Sequence, residues 1–370
     1  MINTDQNKNF CPAPWISLYV EPNGRVDNCC VAKNNLGNIQ ETSVQNIIFG
    51  RTNQEVQQAM LDNQTVPGCS WCHGGGQNLQ ARLLRQFPDT ADSVYQTGQF
   101  DLRYLDVRWN NTCNLACVYC GPTFSSLWAN ELDSSIKIQR EEKHNLLDYV
   151  LDNVESLQEV YLAGGEPTLM RENELLLEQL AKRNPNVKIL VNTNLLNNHT
   201  RIYQQLLEFE NTTWLVSFED RDQRYQYLRH PGRWTQFETN LKTLKTQVPV
   251  GQIYFNMVYL SLNAMSIWDT IDWLLDQGFV RTMTLALINN GVFDTPFDPA
   301  CLPRSYREQI LERISSGQYS SLHGYSNVTE SLAKPDLDPV KLLTHLKTLD
   351  HRRNLNSRNI FPEVYQAIES

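Results

Sequence analysis

The stretch Cys113-Asn114-Leu115-Ala116-Cys117-Val118-Tyr119-Cys120 carries three thiols in a C-x3-C-x2-C spacing. It follows residues 102–109, where apolar and polar side chains alternate as in a strand. A cubane iron–sulfur cluster normally takes four thiolates, so three cysteines in one loop leave one iron open for a chelating ligand. Structural zinc sites favour C-x2-C pairs closed to four ligands, and zinc or chance clustering is the alternative. The spacing therefore predicts a cluster with an open iron at a strand end.

A second motif, Gly164-Gly165-Glu166-Pro167, directly follows the short apolar run of residues 160–163. Two glycines let the backbone approach a ligand closely, so that main-chain carbonyls can accept hydrogen bonds from it. With both motifs in this order, the chain resembles the radical S-adenosylmethionine (SAM) superfamily. The resemblance implies that a 4Fe–4S cluster on Cys113, Cys117 and Cys120 binds SAM through its amino and carboxylate groups, and that the glycine turn contacts the amino group.

Composition limits the environment and the partners of the chain. Its 370 residues suffice for two domains of the usual ~100–200 residues. The polar first residues predict no secretory signal, and no apolar run approaches the ~20 residues of a membrane span. A net charge of −9 argues against a broad electrostatic grip on nucleic acid. Nine cysteines in such a chain favour metal ligands over disulfides, and we expect a reducing, cytoplasmic location.

Apolar runs typical of strands alternate with helical stretches from about residue 100 to residue 290. The predicted strands cover residues 102–108, 159–163, 187–192, 213–217, 253–260 and 282–288. The predicted helices run from about residue 125 to residue 153 and over residues 172–183, 199–209, 233–246 and 267–277. Repeated strand-then-helix units predict an α/β fold with a parallel sheet and with ligand groups at the C-terminal strand ends. The resemblance narrows this to an open, partial (β/α)6 barrel.

Polar residues at the strand ends extend the SAM site that the resemblance implies. Ser217 or Glu219 matches a polar position that contacts the ribose hydroxyls in the family. Arg229 could clamp the SAM carboxylate through its planar fork, and a helix cap or salt bridge is the alternative. Tyr119 matches an aromatic position near adenine, with loop packing as the alternative. The predicted cofactor-binding residues are Tyr119, Gly164, Gly165, Glu166, Pro167, Asn192, Asn194, Ser217, Glu219 and Arg229.

A second group of cysteines precedes the predicted barrel. The turn Glu21-Pro22-Asn23-Gly24 between two alternating runs predicts a hairpin that brings Cys11 near the pair Cys29-Cys30. Because neighbouring strand side chains point to opposite faces, only one member of that pair should face the site, and we slightly prefer Cys30. The segment Cys69-Ser70-Trp71-Cys72 supplies two further thiols. Four thiolates can hold zinc or a closed 4Fe–4S cluster. The predicted ligands are Cys11, Cys29 or Cys30, Cys69 and Cys72.

This cysteine-rich segment resembles the SPASM or twitch auxiliary domain of radical SAM enzymes, in its Cys-x-x-Pro-Trp opening, paired cysteines and later Cys-x-x-Cys. Those domains usually follow the barrel, whereas here the segment precedes it. The resemblance implies a second, auxiliary 4Fe–4S cluster. Residues 349–353 and 359–365 resemble a C-terminal stretch of twitch-type members that packs against the barrel. We therefore expect a SPASM/twitch-like domain at 1–98, a radical SAM partial barrel at 99–290 and a helical C-terminal extension at 291–370.

The resemblance also implies a reaction. One electron from the reduced cluster cleaves SAM to methionine and a 5′-deoxyadenosyl radical, which abstracts hydrogen from an unactivated carbon, and an auxiliary cluster could then accept an electron from the substrate radical. The substrate stays open between a peptide or protein side chain and a sugar-type small molecule. A flavodoxin- or ferredoxin-type protein is the expected electron donor.

Three alternatives remain open at this stage. Cys301 is a candidate catalytic residue that would return a hydrogen atom to the substrate in a radical epimerase, although a lone cysteine is more often a small buried apolar residue. The chain could instead bind SAM and iron–sulfur clusters without turnover. A zinc-stabilised N-terminal module that binds a partner is the third alternative.

Overall fold

Strands and helices alternate in the computed structural model, which describes residues 4, 6–73, 79–133, 146–279, 283–287 and 296–370. The strands of these residues, β1 to β9 in chain order, are Ser17–Val20, Arg25–Asp27, Gly37–Asn38, Tyr104–Val107, Glu159–Leu162, Lys188–Thr193, Thr212–Ser217, Ile253–Tyr259 and Met283–Leu287. The α-helices, α1 to α18, are Ala13–Ile16, Val44–Ile48, Arg51–Leu61, Ser70–His73, Leu79–Gln86, Thr90–Thr97, Ser126–Glu131, Leu146–Asp152, Arg171–Arg183, Arg201–Leu207, Asp222–Leu228, Trp234–Gln247, Ser266–Asp276, Arg304–Ile314, Tyr325–Leu332, Val340–Arg353, Ser357–Ile360 and Pro362–Glu369. Within these ranges, no helix is both long enough and apolar enough to cross a bilayer.

The chain divides into two compact units, of which the first comprises residues 1–112, 136–192 and 199–212. Its strands lie in the order β3-β2-β1-β4-β5-β6. The N-terminal hairpin is antiparallel, whereas β1 pairs with β4 in parallel, as β4 does with β5. Leu18, Leu105 and Val160 lie side by side on one buried, apolar face. The opposite face at the next register position carries the polar groups of Tyr19, Asp106 and Tyr161.

The N-terminal helices of this unit share one hydrophobic core with the first barrel strand. The core is formed by buried side chains of the cysteine-rich segment together with Tyr104 of β4, and includes Phe10, Trp15, Val56, Met60, Leu83 and Phe87. Cys11, Cys69 and Tyr161 pack against this core. The cysteine-rich segment is therefore continuous with the sheet, through both strand pairing and side-chain packing.

The second unit comprises residues 113–135, 193–198 and 213–370. Here β7 pairs in parallel with β8, and β8 with β9. The C-terminal helices pack on this half of the barrel. Leu285 N of β9 donates a hydrogen bond to the carbonyl of His323, and the hydroxyl of Tyr227 in α11 donates to Asp350 of α16 at 2.9 Å. The C-terminal segment thus forms one packed body with these strands.

The predicted α/β architecture with parallel strands is confirmed. Each predicted barrel strand coincides with one of β4 to β9 to within two residues at either end. Residues 282 and 288, the predicted limits of the last strand, lie outside the described residues. Helices predicted at 172–183, 199–209, 233–246 and 267–277 correspond to α9, α10, α12 and α13. The hydrophobic pattern was sufficient here because β6, β7 and β8 bury alternate residues and β4 is buried throughout.

Two local features differ from the prediction. The helical region predicted from about residue 125 to residue 153 contains the helices α7 and α8, and residues 134–145 between them lie outside the described part. Ile16 ends helix α1 rather than opening a strand, because Pro14 occupies the first helical turn, where a missing N–H costs little. Helix α11, between β7 and α12, was not predicted at all.

Candidate functional site

The loop with Cys113, Cys117 and Cys120 is anchored by side chains of helix α7. The N–H of Cys113 donates to Ser126 Oγ at 3.1 Å, and that hydroxyl donates to the carbonyl of Cys113 at 3.2 Å. The indole N–H of Trp128 donates to the carbonyl of Cys117 at 2.7 Å. These contacts use backbone groups of the loop, so its shape does not depend on bonds made by the thiols.

The other side of the loop is held by the segment that ends helix α11. The N–H of Ala116 donates to the carbonyl of His230 at 2.6 Å, and the N–H of Val118 donates to the carbonyl of Leu228 at 2.9 Å. With the contacts to α7, both sides of the loop have fixed partners. The cysteine spacing read from the sequence is therefore presented by a preformed loop.

A buried group of three polar side chains lies beside this loop. Arg229 donates through Nε to Glu219 Oε2 at 2.7 Å and through one Nη to Glu219 Oε1 at 2.6 Å. The same Nη donates to the hydroxyl of Tyr119 at 2.6 Å, and that hydroxyl donates to Glu219 at 2.7 Å. Burial alone would lower the pKa of Arg229, but the Glu219 carboxylate outweighs it and raises this pKa well above its usual value. Arg229 is therefore a fixed positive charge.

This arrangement bears on the roles predicted for Arg229 and Tyr119. The guanidinium fork of Arg229 is engaged by Glu219, which supports the salt-bridge alternative over a carboxylate clamp. Asn194 connects to the cysteine loop through its amide, which donates to Asn114 Oδ1 at 2.8 Å. The structure thus brings Tyr119, Glu219 and Arg229 together in the second unit. Asn194 forms its hydrogen bond with the cysteine loop itself.

Two further predicted residues lie at strand ends. Asn192 is the penultimate residue of β6 and Ser217 is the last residue of β7, and both side chains are partly exposed. Their positions agree with the expectation that polar groups follow the C-terminal ends of parallel strands.

Burial is the largest influence on the pKa of two thiols of the loop. It raises the pKa of Cys120 to about 12, and the neighbouring Cys117 raises it further, whereas Arg229 lowers it. Burial likewise raises the pKa of Cys117, while Arg229 opposes this change. Buried thiols near one another need added positive charge to become thiolates. The donor set therefore fits a cationic iron–sulfur cluster, with Arg229 as an additional positive charge.

The Gly-Gly-Glu-Pro turn lies in the first unit and packs against its backbone. Gly164 has φ +112°, a conformation that glycine adopts without strain. A Cβ atom on Gly165 would clash with the carbonyl oxygen of Thr112, and the N–H of Glu166 donates to that oxygen at 2.8 Å. The buried carboxylate of Glu166 accepts from Thr168 Oγ1 at 2.7 Å. The close contact with the Thr112 carbonyl thus requires glycine at position 165. This reason is separate from the close approach to a ligand that the sequence predicts.

The N-terminal cysteines affect one another's ionisation. Burial raises the pKa of Cys11 to about 12, and Cys69 and Cys72 add to this shift as neighbouring thiols. Burial also raises the pKa of Cys29 well above its usual value, with contributions from Cys30, Cys11 and Cys69. These mutual effects place Cys11, Cys29, Cys69 and Cys72 in one neighbourhood of the first unit.

Cys30 has different surroundings from Cys29. It is exposed, whereas Cys29 is buried. The charged groups that influence the Cys30 thiol are Asp106, Arg108 and Arg82, which lie on and beside β4. These surroundings favour Cys29 over Cys30 as the ligand, and the choice between the two stays a prediction.

Sequence reasoning missed a polar contact to one of these thiols. Asn34 Nδ2 lies 3.6 Å from Cys69 Sγ. A thiol sulfur is a weak acceptor, so an amide N–H directed at it fits a metal-bound thiolate better than a free thiol. The signal in the sequence was weak, since Asn34 stands far from Cys69 in a run of other polar residues.

Within the described part of the chain, no group of three or more His, Cys, Asp or Glu side chains is placed to hold a metal ion. The thiolates of a cubane bind separate irons, so they need not meet at one point.

Cys301, the candidate catalytic residue, ends the short 3-10 helix Pro299–Cys301. It is 6% exposed, and its thiol donates to the carbonyl of Pro296 at 3.7 Å. Burial raises its pKa to about 11, and Asp298 adds to this shift. The surroundings match those of a small packed residue, and a hydrogen-donor role stays a prediction.

Solved structures of known proteins resemble this chain at low sequence identity. The solved structure of anSMEcpe with bound AdoMet has a TM-score of 0.44 and 17% identity, over 62% of this chain and 60% of that one. Streptococcus suis SuiB bound to S-adenosylmethionine has a TM-score of 0.42 and 16% identity, over 74% and 60%. The chain thus spans about three fifths of the length of these proteins. The comparison with curated protein sequences gave no significant match.

Two family models match the chain. The model of the radical SAM superfamily matches residues 107–274, and that of SPASM, an iron–sulfur cluster-binding domain, matches residues 11–73. The first range contains the triple-cysteine loop and the Gly-Gly-Glu-Pro turn, and the second contains the N-terminal cysteines. These domains take SAM with a 4Fe–4S cluster and an auxiliary cluster as their cofactors. The chain is accordingly a member of the radical SAM superfamily with a SPASM domain.

Proposed function

We propose that this chain is an enzyme, oxidoreductase- or maturase-like, that cleaves SAM reductively and abstracts a hydrogen atom from its substrate. The observation that carries the proposal is the preformed loop with three thiols, whose backbone is fixed by Ser126, Trp128 and the carbonyls of Leu228 and His230. A 4Fe–4S cluster held by that loop would supply one electron to the sulfonium of SAM, breaking its C–S bond to give methionine and the 5′-deoxyadenosyl radical.

The residues of the chain hold and orient these groups. Cys113, Cys117 and Cys120 bind three irons, and the buried charge of Arg229 stabilises their thiolate forms. Backbone carbonyls of the Gly-Gly-Glu-Pro turn would accept hydrogen bonds from the amino group of SAM. The polar side chains at the strand ends, Asn192, Asn194 and Ser217, would bind other polar atoms of SAM. Packing around Tyr119 excludes water from the loop.

We assign the N-terminal SPASM match to an auxiliary-cluster domain that precedes the barrel. We assign Cys11, Cys29, Cys69 and Cys72 as its ligands, because Cys29 is buried and Cys11 and Cys69 raise the pKa of its thiol, whereas Cys30 is exposed. Held there, an auxiliary cluster would supply a one-electron acceptor for a substrate radical, and the overall reaction would then be an oxidation. A flavodoxin- or ferredoxin-type protein delivers the electrons that start each turnover.

We propose a polar substrate, either a peptide or protein side chain or a sugar-type molecule.

The test is iron content and SAM cleavage after anaerobic reconstitution. We compare the wild-type chain with the triple-Ala variant, in which Cys113, Cys117 and Cys120 are replaced by Ala. We expect about eight irons per wild-type chain and about four in the variant, as two four-iron clusters require. With dithionite and SAM, the wild type should form 5′-deoxyadenosine, detected by liquid chromatography with mass spectrometry, and the variant none. Two clusters without 5′-deoxyadenosine would favour a non-catalytic SAM-binding protein instead.

A further inference from the structure

Three asparagine side chains form a hydrogen-bonded series that ends at Cys69. Asn34 Nδ2 lies 3.6 Å from Cys69 Sγ and 3.2 Å from Asn28 Oδ1. Asn28 Nδ2 in turn donates to Asn53 Oδ1 at 2.8 Å. Asn28 and Asn53 are both buried, so each amide in the series must find its partners within the protein.

The far end of the series fixes which atom of each amide is the donor. Asn53 Nδ2 lies 3.2 Å from the carbonyl oxygen of Pro14 and 2.8 Å from that of Ile48. Carbonyl oxygens only accept, so this atom of Asn53 must be the nitrogen, and its Oδ1 must accept from Asn28. The same reasoning then makes the oxygen of Asn28 accept from Asn34. An N–H of Asn34 therefore points at the sulfur.

The backbone around Asn34 is held as firmly as its side chain. Asp27 Oδ1 accepts from the N–H groups of Asn34 and Asn35, each at 2.9 Å. The N–H of Lys33 donates to the carbonyl of Gly68 at 2.9 Å. A Cβ atom on Gly68 would clash with Asn34 Oδ1, so only glycine at this position lets the amide come so close. The N–H donor is therefore positioned before any ligand binds.

We propose that Asn34 is a positioning residue of the auxiliary cluster and raises its reduction potential through an N–H···S hydrogen bond to Cys69. The inference rests on the proposed function, which makes Cys69 a cluster ligand. Reduction adds one electron to the cluster, and part of the added negative charge resides on the ligating sulfurs. A hydrogen bond to such a sulfur stabilises the reduced state more than the oxidised state, and therefore raises the potential.

The test is a potentiometric titration of the auxiliary cluster in the full-length triple-Ala variant, in which no second cluster contributes to the signal. Asn34→Ala removes the donor. Asn46→Ala is the matched control, since Asn46 is exposed and its amide donates to Thr42 at 3.0 Å, on the helix-capping turn before α2. We expect the equilibrium constant for reduction to fall about tenfold in Asn34→Ala, which is about 59 mV for a one-electron couple. The control should keep the parent potential.

The outcomes separate this inference from the proposed function. An Asn34→Ala protein that keeps its iron and its potential overturns the inference and leaves the auxiliary cluster in place. A triple-Ala parent without iron overturns the proposed cluster itself. If Asn34→Ala loses its iron, Asn28→Ala decides, because it keeps the donor and removes the acceptor that orients it. A lowered potential in Asn28→Ala then supports the inference, and an unchanged potential overturns it.

Discussion

The two cysteine groups of this chain reach their arrangement in different ways. Cys113, Cys117 and Cys120 lie within eight consecutive residues, and backbone hydrogen bonds to α7 and to residues 228–230 fix their loop. The cysteines proposed as N-terminal ligands lie beside the hairpin and in the distant Cys69-Ser70-Trp71-Cys72 segment. The amide of Asn34 contacts one of them, Cys69. The first group has a charged neighbour, Arg229, and the second a neutral donor. Local spacing is therefore enough to identify the first site, whereas the second depends on tertiary structure.

The adjacent pair Cys29-Cys30 offers the sharpest test of the tertiary site. We expect Cys29→Ser to lose the auxiliary cluster, about four of about eight irons, because its thiol is buried and Cys11 and Cys69 raise its pKa. Cys30→Ser should keep all of the iron, because Cys30 is exposed and lies beside Asp106 and Arg108. The measurement is iron and sulfide per chain after reconstitution. Iron loss in Cys30→Ser alone would reverse the assignment.

Glu219→Gln breaks the ion pair of Arg229, the charged neighbour of the cysteine loop. The variant leaves the buried guanidinium of Arg229 without its counter-charge, and removing one partner of a buried pair costs about 3–5 kcal/mol. Urea unfolding of the apoprotein measures the loss.

Glu363→Gln is the matched control for this variant. Glu363 pairs with Arg224 in the same unit, but both side chains are about one quarter exposed, so the loss should stay within about 1 kcal/mol. Equal losses in the two variants would show that the Arg229 pair contributes no more than an exposed one.

The smallest expected effect concerns the Gly-Gly-Glu-Pro turn. Gly165→Ala places a Cβ atom against the carbonyl of Thr112, and such overpacking costs about 1–3 kcal/mol. Gly251→Ala is the control, because a Cβ atom there meets no heavy atom within 4 Å among the described residues. Urea unfolding of both variants measures the difference. If Gly165→Ala is as stable as the control, the glycine serves ligand approach alone.

The sequence was sufficient wherever a signal is local. The six barrel strands, the triple-cysteine loop and the Gly-Gly-Glu-Pro turn all follow from spacing and periodicity over a few residues. The choice between Cys29 and Cys30 could not be made in this way, because they lie in the bend and turn after β2, where the two-residue period of a strand does not apply.

Partners that are distant in the chain were also beyond the reach of the sequence. Nothing near Arg229 indicated that Glu219 and Tyr119 would engage it, since turns of the chain around α11 and the cysteine loop bring the three together. The parallel pairing of β1 with β4 is another such contact, because the N-terminal hairpin was predicted as part of a separate domain.

That pairing of β1 with β4 has a consequence for biosynthesis. Ser17 reaches its partner Tyr104 only when the intervening helices have been made, and such non-local pairing is slow to form. On a ribosome, the hairpin of the cysteine-rich segment therefore keeps an open edge until β4 emerges. The cysteine-rich segment can join the sheet only then, after all of its own cysteines have been synthesised.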